Sequence, residues 1–262
     1  YVSAIRLAQL GKKVALIEKQ KTLGGTCLNW GCIPSKALLD SSEHYHQACH
    51  KFKTHGIELA GIKLNLSQMM KRKQAVVDNT TQGIEFLMQK NNVTVITGHA
   101  AFQDTTTVTV TADNKTDTVN ADHFIIATGS SVTPLPCVET NGSSIITSNE
   151  AISLKKVPQH LIVIGGGVIG VELGSVYARL GAKVSIVEYM DRLLPGMDAD
   201  LGKTLKRSLS SQHDIDFYFN TKVTGAKENN TKNNKNVTIT AEDKQGKPLS
   251  LTGDVVLVSI GR

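Results

Sequence analysis

A glycine-rich loop between an apolar strand and a helix constrains the fold of this chain of 262 residues more than any other feature. The apolar residues 161–164 lead directly into the sequence GGGVIG, and a helical pattern follows. Gly165 allows a tight turn, Gly167 lets the backbone approach a pyrophosphate, and Gly170 lets the helix pack closely on the strand. The pattern therefore predicts an α/β unit that binds a dinucleotide at the start of the helix. The alternative is a glycine-rich turn that binds no ligand.

An acidic residue follows the next predicted strand, at residues 184–187. Glu188 can accept hydrogen bonds from both ribose hydroxyls, and its charge would repel a 2′-phosphate. The next two residues, Tyr189 and Met190, provide no compensating cation. The sequence therefore favours NAD(H) over NADP(H).

Residues 1–18 repeat residues 171–188 at an offset of 170 positions. Both copies have the pattern of a helix, a glycine, a strand and a terminal Glu. In the second copy a strand and a glycine loop precede the helix, so in the first copy they would fall before Tyr1. We expect the chain to lack that strand and loop, and to stop within the fold after a buried strand at its other end. The alternative is a coincidence between two helix–strand pairs. The identical residues are Ala8, Leu10, Gly11, Lys13, Val14 and Glu18, which match Ala178, Leu180, Gly181, Lys183, Val184 and Glu188.

The first copy predicts a second dinucleotide site. Glu18 would bind the ribose of that ligand, as Glu188 would in the second copy. Gly24, Gly25 and Thr26 offer small side chains and backbone amides for its phosphates. Two such sites in one chain indicate that electrons pass between two cofactors.

Two cysteines five positions apart are the strongest candidates for chemistry. Cys27 and Cys32 flank Gly31 and can close a small redox ring, whereas Pro34 indicates that a helix begins nearby. A helix N-terminus lowers the pKa of a thiol, and Lys36 adds positive charge, so we expect a stabilised thiolate at Cys32. The alternatives are a structural disulfide or two metal ligands. The other two cysteines, Cys49 and Cys137, are interpreted as ordinary buried or loop thiols.

Composition excludes several other classes of function. The net charge of +6 comes from scattered residues and aromatic residues make up only 5%, so we predict no nucleic-acid partner. No apolar run approaches about 18 residues, so we predict no membrane span. Residues 124–127 have the pattern of a buried strand. Three histidines on one predicted helix, His44, His46 and His50, are interpreted as part of a solvated face.

The segment GGTCLNWGCIPSKALL, at residues 24–39, closely resembles the redox-active segment of dihydrolipoamide dehydrogenases. These enzymes are a group within the flavin disulfide reductase family, the class I pyridine nucleotide-disulfide oxidoreductases. Further matches are ATGS, GGGVIGVELGSVYARLG, NTKVTGA and VSIGR. The resemblance implies two Rossmann-like domains of the three-layer ββα type. Residues 1–145 would be the FAD-binding domain without its first strand and glycine loop, residues 146–262 a nearly complete NAD-binding domain, and the interface domain would be absent.

The resemblance also implies roles for individual residues. Cys27 would be the interchange thiol and Cys32 would lie against the flavin. Lys36 and Glu172 each lie in the first turn of a predicted helix, one that begins at Pro34 and one that follows the glycine loop, and both helix starts should face a cofactor. We therefore predict a Lys36–Glu172 ion pair within about 4 Å across the domain boundary, as the resemblance likewise implies. The alternative for Glu172 is a charged first-turn residue that only suits the helix dipole. No metal site is expected. The predicted cofactor-binding residues are Glu18, Gly24, Gly25, Thr26, Cys27, Lys36, Ala100, Thr128, Gly129, Ser130, Gly165, Gly167, Val168, Ile169, Gly170, Glu172, Glu188, Val223 and Gly261.

The implied reaction is the oxidation of a dihydrolipoyl group, through the Cys27–Cys32 disulfide and FAD, to reduce NAD⁺. The substrate would be a lipoyl domain or lipoyl protein of a 2-oxo acid dehydrogenase complex. The full-length protein would be a homodimer, in a bacterial cytoplasm or a mitochondrial matrix. The alternatives are another flavin disulfide reductase or, for this chain alone, a non-catalytic fragment, because the family's His–Glu acid/base lies outside it.

Overall fold

The computed structural model describes residues 1–231 and 234–262. A short 3₁₀ helix spans Phe52–His55. The helices are α1 Val2–Gln9, α2 Gly25–Trp30, α3 Cys32–His50, α4 Leu66–Lys90, α5 Ser148–Ala151, α6 Val168–Arg179 and α7 Ala199–Gln212. The strands are β1 Ala15–Glu18, β2 Thr94–Thr97, β3 His99–Phe102, β4 Thr107–Ala112, β5 Lys115–Asn120, β6 Ile145–Ile146, β7 His160–Ile164, β8 Lys183–Val187, β9 Ile215–Tyr218, β10 Thr221–Thr231, β11 Asn234–Asp243, β12 Pro248–Gly253 and β13 Val255–Val258.

The chain forms two compact units. One consists of Tyr1–Ile33 and Gln74–Ser130, and the other of Pro34–Lys73 and Ser131–Arg262. Helices α3 and α4 therefore each contribute residues to both units. The assignment of residues 1–145 and 146–262 to separate cofactor domains stays a prediction.

The larger unit contains a five-stranded parallel sheet in the order β6-β13-β7-β8-β9. Its central strands β7, β8 and β13 are mainly apolar, and their side chains are buried beyond the first residue of β7 and of β8, as expected for parallel strands covered on both faces. Helix α6 connects β7 to β8, which completes the predicted βαβ unit. Between β9 and β13 the chain forms an antiparallel sheet of β10, β11 and β12, whose inner face packs against the parallel sheet through Val237 and Ile239.

The smaller unit has a parallel pair, β1 and β2, and an antiparallel sheet of β3, β4 and β5. Its core brings side chains of α1, α2 and α4 together, including Ala4, Leu28 and Met88. The hairpin predicted at residues 105–119 is confirmed as β4 and β5. Its turn is formed by Asp113 and Asn114, which both take the left-handed conformation that these residue types tolerate.

The strand predicted at residues 124–127 is wrong. That segment has no regular secondary structure, and Ile125 and Ile126 are 63% and 73% exposed. A strand needs a neighbour for its backbone N–H and C=O groups. Among the described residues β1 pairs only with β2, and residues 124–127 belong to none of the sheets.

The internal repeat is confirmed at the level of backbone hydrogen bonds. Leu10 donates to the carbonyls of Arg6 and Leu7, and Leu180 donates to those of Val176 and Tyr177, with bond lengths of 3.1 to 3.2 Å. The two C-caps have nearly the same backbone angles, with φ of −86° and −85°. The glycine that follows each of them has a positive φ, 78° at residue 11 and 99° at residue 181. The two segments are therefore copies of one helix–turn–strand design.

Candidate dinucleotide and dithiol sites

The glycine loop between β7 and α6 has the sterics that its spacing predicts. Gly165 has a φ of +109°, and a Cβ on it would lie 2.5 Å from the carbonyl oxygen of Ser259. A Cβ on Gly170 would overlap the carbonyl oxygen of Gly165 and lie 2.6 Å from the Ser259 Oγ. Only glycine fits at these two positions. Gly167, the N-cap of α6, has an ordinary φ of −74° and no atom within 4 Å of its added Cβ. Gly165 and Gly170 are thus packed against Ser259, whereas the space around Gly167 is free for a phosphate to approach.

Glu188 lies directly beside this loop, at the carboxyl end of β8. It is 7% exposed, and its Oε2 accepts a hydrogen bond of 2.6 Å from the backbone N–H of Gly166. Its Oε1 accepts one of 2.7 Å from the N–H of Met190. The carboxylate is therefore fixed in orientation, and its unused lone pairs are available to ribose hydroxyls. Ribose binding by Glu188 stays a prediction.

The segment after Glu188 folds back onto the glycine loop, which the sequence did not indicate. The N–H of Leu194 donates to the carbonyl of Gly166 at 2.9 Å, so both sides of that glycine are held. Leu193 is 1% exposed and its Cδ2 would lie 3.0 Å from a Cβ on Gly166. Leu194 has a φ of +52°, a conformation unusual for leucine that no local sequence signal predicts.

The segment after Glu188 also contains a cation, Arg192, that the two residues directly after Glu188 do not reveal. Tyr189 and Met190 are both exposed and uncharged. Arg192 lies 3.4 Å from its neighbour Asp191, so the two charges offset each other locally. This contact is consistent with the predicted preference for NAD(H).

The cysteine pair lies in the smaller unit. Cys27 is in the middle of α2 and Cys32 is the first residue of α3, with Gly31 between the two helices. A Cβ on Gly31 would lie 2.8 Å from the carbonyl oxygen of Thr26, so a glycine is needed for this turn. The two thiols share a hydrogen bond and are not joined by a disulfide. That bond raises the pKa of Cys27, with burial and the electrostatic interaction with Cys32 acting in the same direction. The two sulfur atoms are close enough to interact directly, as a redox pair requires.

The phosphate-binding segment predicted before the cysteines is also in the smaller unit. Gly24 is the N-cap of α2 with a φ of +107°, and Gly25 has a φ of +64°. The Thr26 Oγ1 would lie 3.4 Å from a Cβ on Gly129. The structure thus brings these predicted residues next to the exposed segment of Thr128, Gly129 and Ser130. The Glu18 Oε1 accepts from the N–H of Gln20 at 2.9 Å, repeating the bond from Met190 to Glu188.

The ion pair predicted between Lys36 and Glu172 is confirmed. The Lys36 Nζ lies 2.6 Å from the Glu172 Oε1, and the Ser35 Oγ lies 3.4 Å from the Glu172 Oε2. Both residues lie in the larger compact unit, and the position of the pair across a boundary between cofactor domains stays a prediction. One detail of the prediction is wrong. Helix α3 begins at Cys32 rather than at Pro34, and α6 begins at Val168, so Lys36 and Glu172 both lie just beyond the first turn. A helix-dipole role for Glu172 is correspondingly weaker.

The other predicted residues are dispersed. Val168 is 42% exposed at the start of α6, next to the half-buried Ile169. Ala100 is exposed on β3, whereas Val223 is 8% exposed and packs in the core of the larger unit. The carbonyl of Gly261 accepts from the N–H of Thr133 at 3.0 Å. Their cofactor contacts stay predictions.

Two negative findings concern the described residues, 1–231 and 234–262. They contain no group of three or more His, Cys, Asp or Glu side chains arranged to bind a metal ion. None of their helices combines the length and the apolar character that crossing a membrane requires.

His44 and His50 of α3 are exposed, as interpreted, but the interpretation is wrong for His46, which is buried. His46 is 5% exposed, and its ring centroid lies 4.7 Å from that of His50 and 4.6 Å from that of His213. Burial is the main cause that lowers the pKa of His46, and it lowers the pKa of His213 to about 4. The neutral forms of the His46 and His213 imidazoles are therefore favoured.

Comparison with known proteins is consistent with both sites. The sequence matches the family described as pyridine nucleotide-disulphide oxidoreductase over residues 1–262. The chain belongs to this family. The α/β fold of two dinucleotide-binding units, predicted from the sequence, agrees with this membership.

Individual relatives carry more specific names. The chain is 48% identical to dihydrolipoamide dehydrogenase of Chaetomium thermophilum, with 100% of this chain and 52% of the relative aligned. It is 47% identical to the mitochondrial dihydrolipoyl dehydrogenase of Schizosaccharomyces pombe, covering 100% of this chain and 51% of the relative. The chain therefore spans about half the length of the curated relatives that it matches.

Two solved structures share the fold of this chain over nearly its whole length. LpdA from Mycobacterium tuberculosis superposes with a TM-score of 0.84 at 25% identity, covering 99% of this chain and 55% of that one. The HOCl-induced flavoprotein disulfide reductase RclA from Escherichia coli superposes with a TM-score of 0.79 at 26% identity, covering 100% of this chain and 54% of that one.

Proposed function

We propose that this chain is part of a dihydrolipoyl dehydrogenase that oxidises a dihydrolipoyl group and reduces NAD⁺. The observation that carries the proposal is the hydrogen bond between the thiols of Cys27 and Cys32 at the junction of α2 and α3. A dithiol and a disulfide exchange two electrons and two protons, which matches the oxidation of a dihydrolipoyl group to its cyclic disulfide. The names of the relatives with 47% and 48% identity support this substrate.

The residues present fit FAD and NAD as cofactors. The open face of Gly167 and the fixed carboxylate of Glu188 suit the pyrophosphate and the ribose of NAD. Gly24, Gly25 and Thr26 at the start of α2, with Glu18, suit part of the FAD site. Bound FAD would accept the two electrons of the protein dithiol and pass them to NAD⁺.

The cysteines would act by thiol–disulfide exchange. A thiolate of the dihydrolipoyl group attacks the sulfur of Cys27 in the oxidised pair and releases the Cys32 thiolate. The second substrate thiol then displaces Cys27, leaving an oxidised lipoyl ring and a reduced protein dithiol. The hydrogen bond between the two thiols allows Cys27 to hold a proton that stabilises a Cys32 thiolate by donation. Lys36, one turn after Cys32 in α3, would add positive charge near that thiolate, with Glu172 fixing its orientation.

The proposal includes the setting of the whole protein. Its substrate would be a lipoyl domain or lipoyl protein, and the protein would act as a homodimer. Relatives named as mitochondrial in fission yeast and pea support the mitochondrial matrix over a bacterial cytoplasm.

The test is lipoamide-dependent NADH formation by the full-length protein. We expect dihydrolipoamide and NAD⁺ to give NADH at a rate that falls more than about a thousandfold in Cys32→Ser, since the redox pair is then lost. Cys49→Ser, which changes an exposed cysteine outside the site, serves as the matched control. Turnover of glutathione disulfide but not of lipoamide would refute the substrate and favour another disulfide reductase.

A further inference from the structure

Two charged contacts join helix α3 to helix α6, and only the first involves residues assigned to the cofactor site. Lys36 pairs with Glu172 at 2.6 Å. The Glu43 Oε2 lies 3.0 Å from the Arg179 Nη2 in the second contact. The second pair is the more enclosed, since Lys36 is 55% exposed whereas Arg179 is 19% exposed.

The spacing of the pairs fixes how the helices lie side by side. Glu43 follows Lys36 by seven residues, and Arg179 follows Glu172 by seven, so the two helices run in the same direction. Seven residues are two turns, or about 10 Å along each helix. The charges are exchanged between the pairs, with α3 contributing a cation and then an anion. A slip of two turns would place Lys36 against Arg179, or Glu43 against Glu172, and like charges would repel.

Further bonds hold the second pair in place. The Arg179 Nη1 donates to the carbonyl of Leu39 at 3.3 Å, halfway between the two ion pairs. The Gln47 Nε2 donates to the Glu43 Oε1 at 2.9 Å. This bond, followed by the charge of Arg179, lowers the pKa of Glu43 and keeps the carboxylate ionised. One guanidinium thus binds both a side chain and the backbone of α3.

We propose that Glu43 and Arg179 are positioning residues that fix the register of α3 against α6, and thereby hold Lys36 on Glu172. Lys36 is a long side chain that is half exposed, so its own ion pair contributes little to the alignment of the helices. The enclosed pair two turns away supplies the alignment. The consequence for catalysis rests on the proposed function, in which Lys36 lies beside the dithiol and the bound cofactor.

The first test measures the ion pair itself, without cofactor. Acetic anhydride labels lysine amines, and mass spectrometry gives the labelling rate of Lys36 in the unchanged chain of 262 residues. Glu172→Gln sets the rate for an unpaired Lys36. We expect Glu43→Gln to raise the rate about threefold towards that value, because an aligned, half-exposed pair is lost. The double variant Glu43→Arg with Arg179→Glu restores opposite charges, and we expect it to return the rate to that of the unchanged chain.

A control variant distinguishes the loss of alignment between α3 and α6 from the loss of any ion pair in the same unit. Asp216→Asn breaks the half-exposed contact of 3.4 Å between Lys183 and Asp216, which lies on β8 and β9 of the same unit. It should leave the labelling of Lys36 unchanged. If Glu43→Gln does not fold, as judged by circular dichroism, Arg179→Gln replaces it, because it removes the other charge of the same pair, and the same rise is required. An unchanged rate in the folded variant, or a folded charge-exchanged variant that fails to restore it, would overturn the proposal.

The second test uses the full-length holoenzyme and reads catalysis. Glu43→Gln should slow the reduction of the bound cofactor by dihydrolipoamide, and this slowing should not exceed that caused by Lys36→Met. The Kd for NAD⁺ should stay unchanged. If Lys36→Met has no effect on that step, the catalytic role of Lys36 in the proposed function fails, whereas the labelling result still decides whether Glu43 and Arg179 position it.

Discussion

Replacing Gly167 by alanine separates the glycine that faces a ligand from those that only permit packing. Alanine accepts the φ of −74° at this position, and its Cβ would have no neighbour within 4 Å. Fewer unfolded conformations would stabilise the variant by about 0.4–1 kcal/mol. Alanine is a poorer N-cap than glycine by several tenths of a kcal/mol, so the two effects nearly cancel. We expect the free energy of unfolding to change by less than about 0.5 kcal/mol.

The same methyl group would fill the space where the phosphates of NAD should approach the start of α6. Loss of a phosphate interaction with a helix N-terminus, worth up to about 2 kcal/mol, corresponds to a rise of about 30-fold in the Kd for NAD⁺. Isothermal titration calorimetry measures the Kd, and urea denaturation measures stability. Gly170→Ala is the matched control, because its Cβ would overlap the Gly165 carbonyl and should cost about 3 kcal/mol. Unchanged NAD⁺ affinity in a folded Gly167→Ala variant would refute the assignment of the loop.

Two further predictions concern Glu188 and His213. In the full-length enzyme, Glu188→Ala should reduce the ratio of kcat/KM for NAD⁺ over NADP⁺ by about tenfold or more, because the ribose loses a charged acceptor; an unchanged ratio would show that Glu188 serves only to hold Gly166. Burial is the largest cause that lowers the pKa of His213 from 6.5 to about 4. Between pH 6.5 and pH 4 the unfolded chain therefore binds more protons than the folded chain, so the free energy of unfolding declines as the pH falls. His213→Gln should make this decline shallower in urea titrations at pH 7 and pH 5, and parallel slopes would contradict the prediction.

The parts of the fold that depend on local pattern could be predicted from the sequence. The βαβ unit follows from an apolar strand, a glycine loop and a helical period, and the repeat follows because one helix–turn–strand design recurs with its hydrogen bonds. The Lys36–Glu172 pair was predicted because both residues lie near the starts of helices expected to face cofactors, together with the family resemblance.

The remainder depends on tertiary neighbours that a sequence does not specify. The apolar residues at 124–127 suit a strand, but a strand also requires a partner. His46 looks polar and exposed in a helical pattern, yet His213 covers it from the end of α7. The return of Leu194 to Gly166 depends on a left-handed leucine, which no propensity predicts.

The claim that Cys27 and Cys32 form a redox couple can be tested on the chain itself. Oxidised lipoamide is added, the remaining thiols are alkylated, and the peptides are mapped by mass spectrometry before and after reduction. We predict one disulfide joining Cys27 to Cys32, formed with the loss of two hydrogens and reversed by dihydrolipoamide, while Cys49 and Cys137 are alkylated throughout. Alkylation of Cys27 and Cys32 that oxidised lipoamide does not diminish, in a folded chain, would contradict the account.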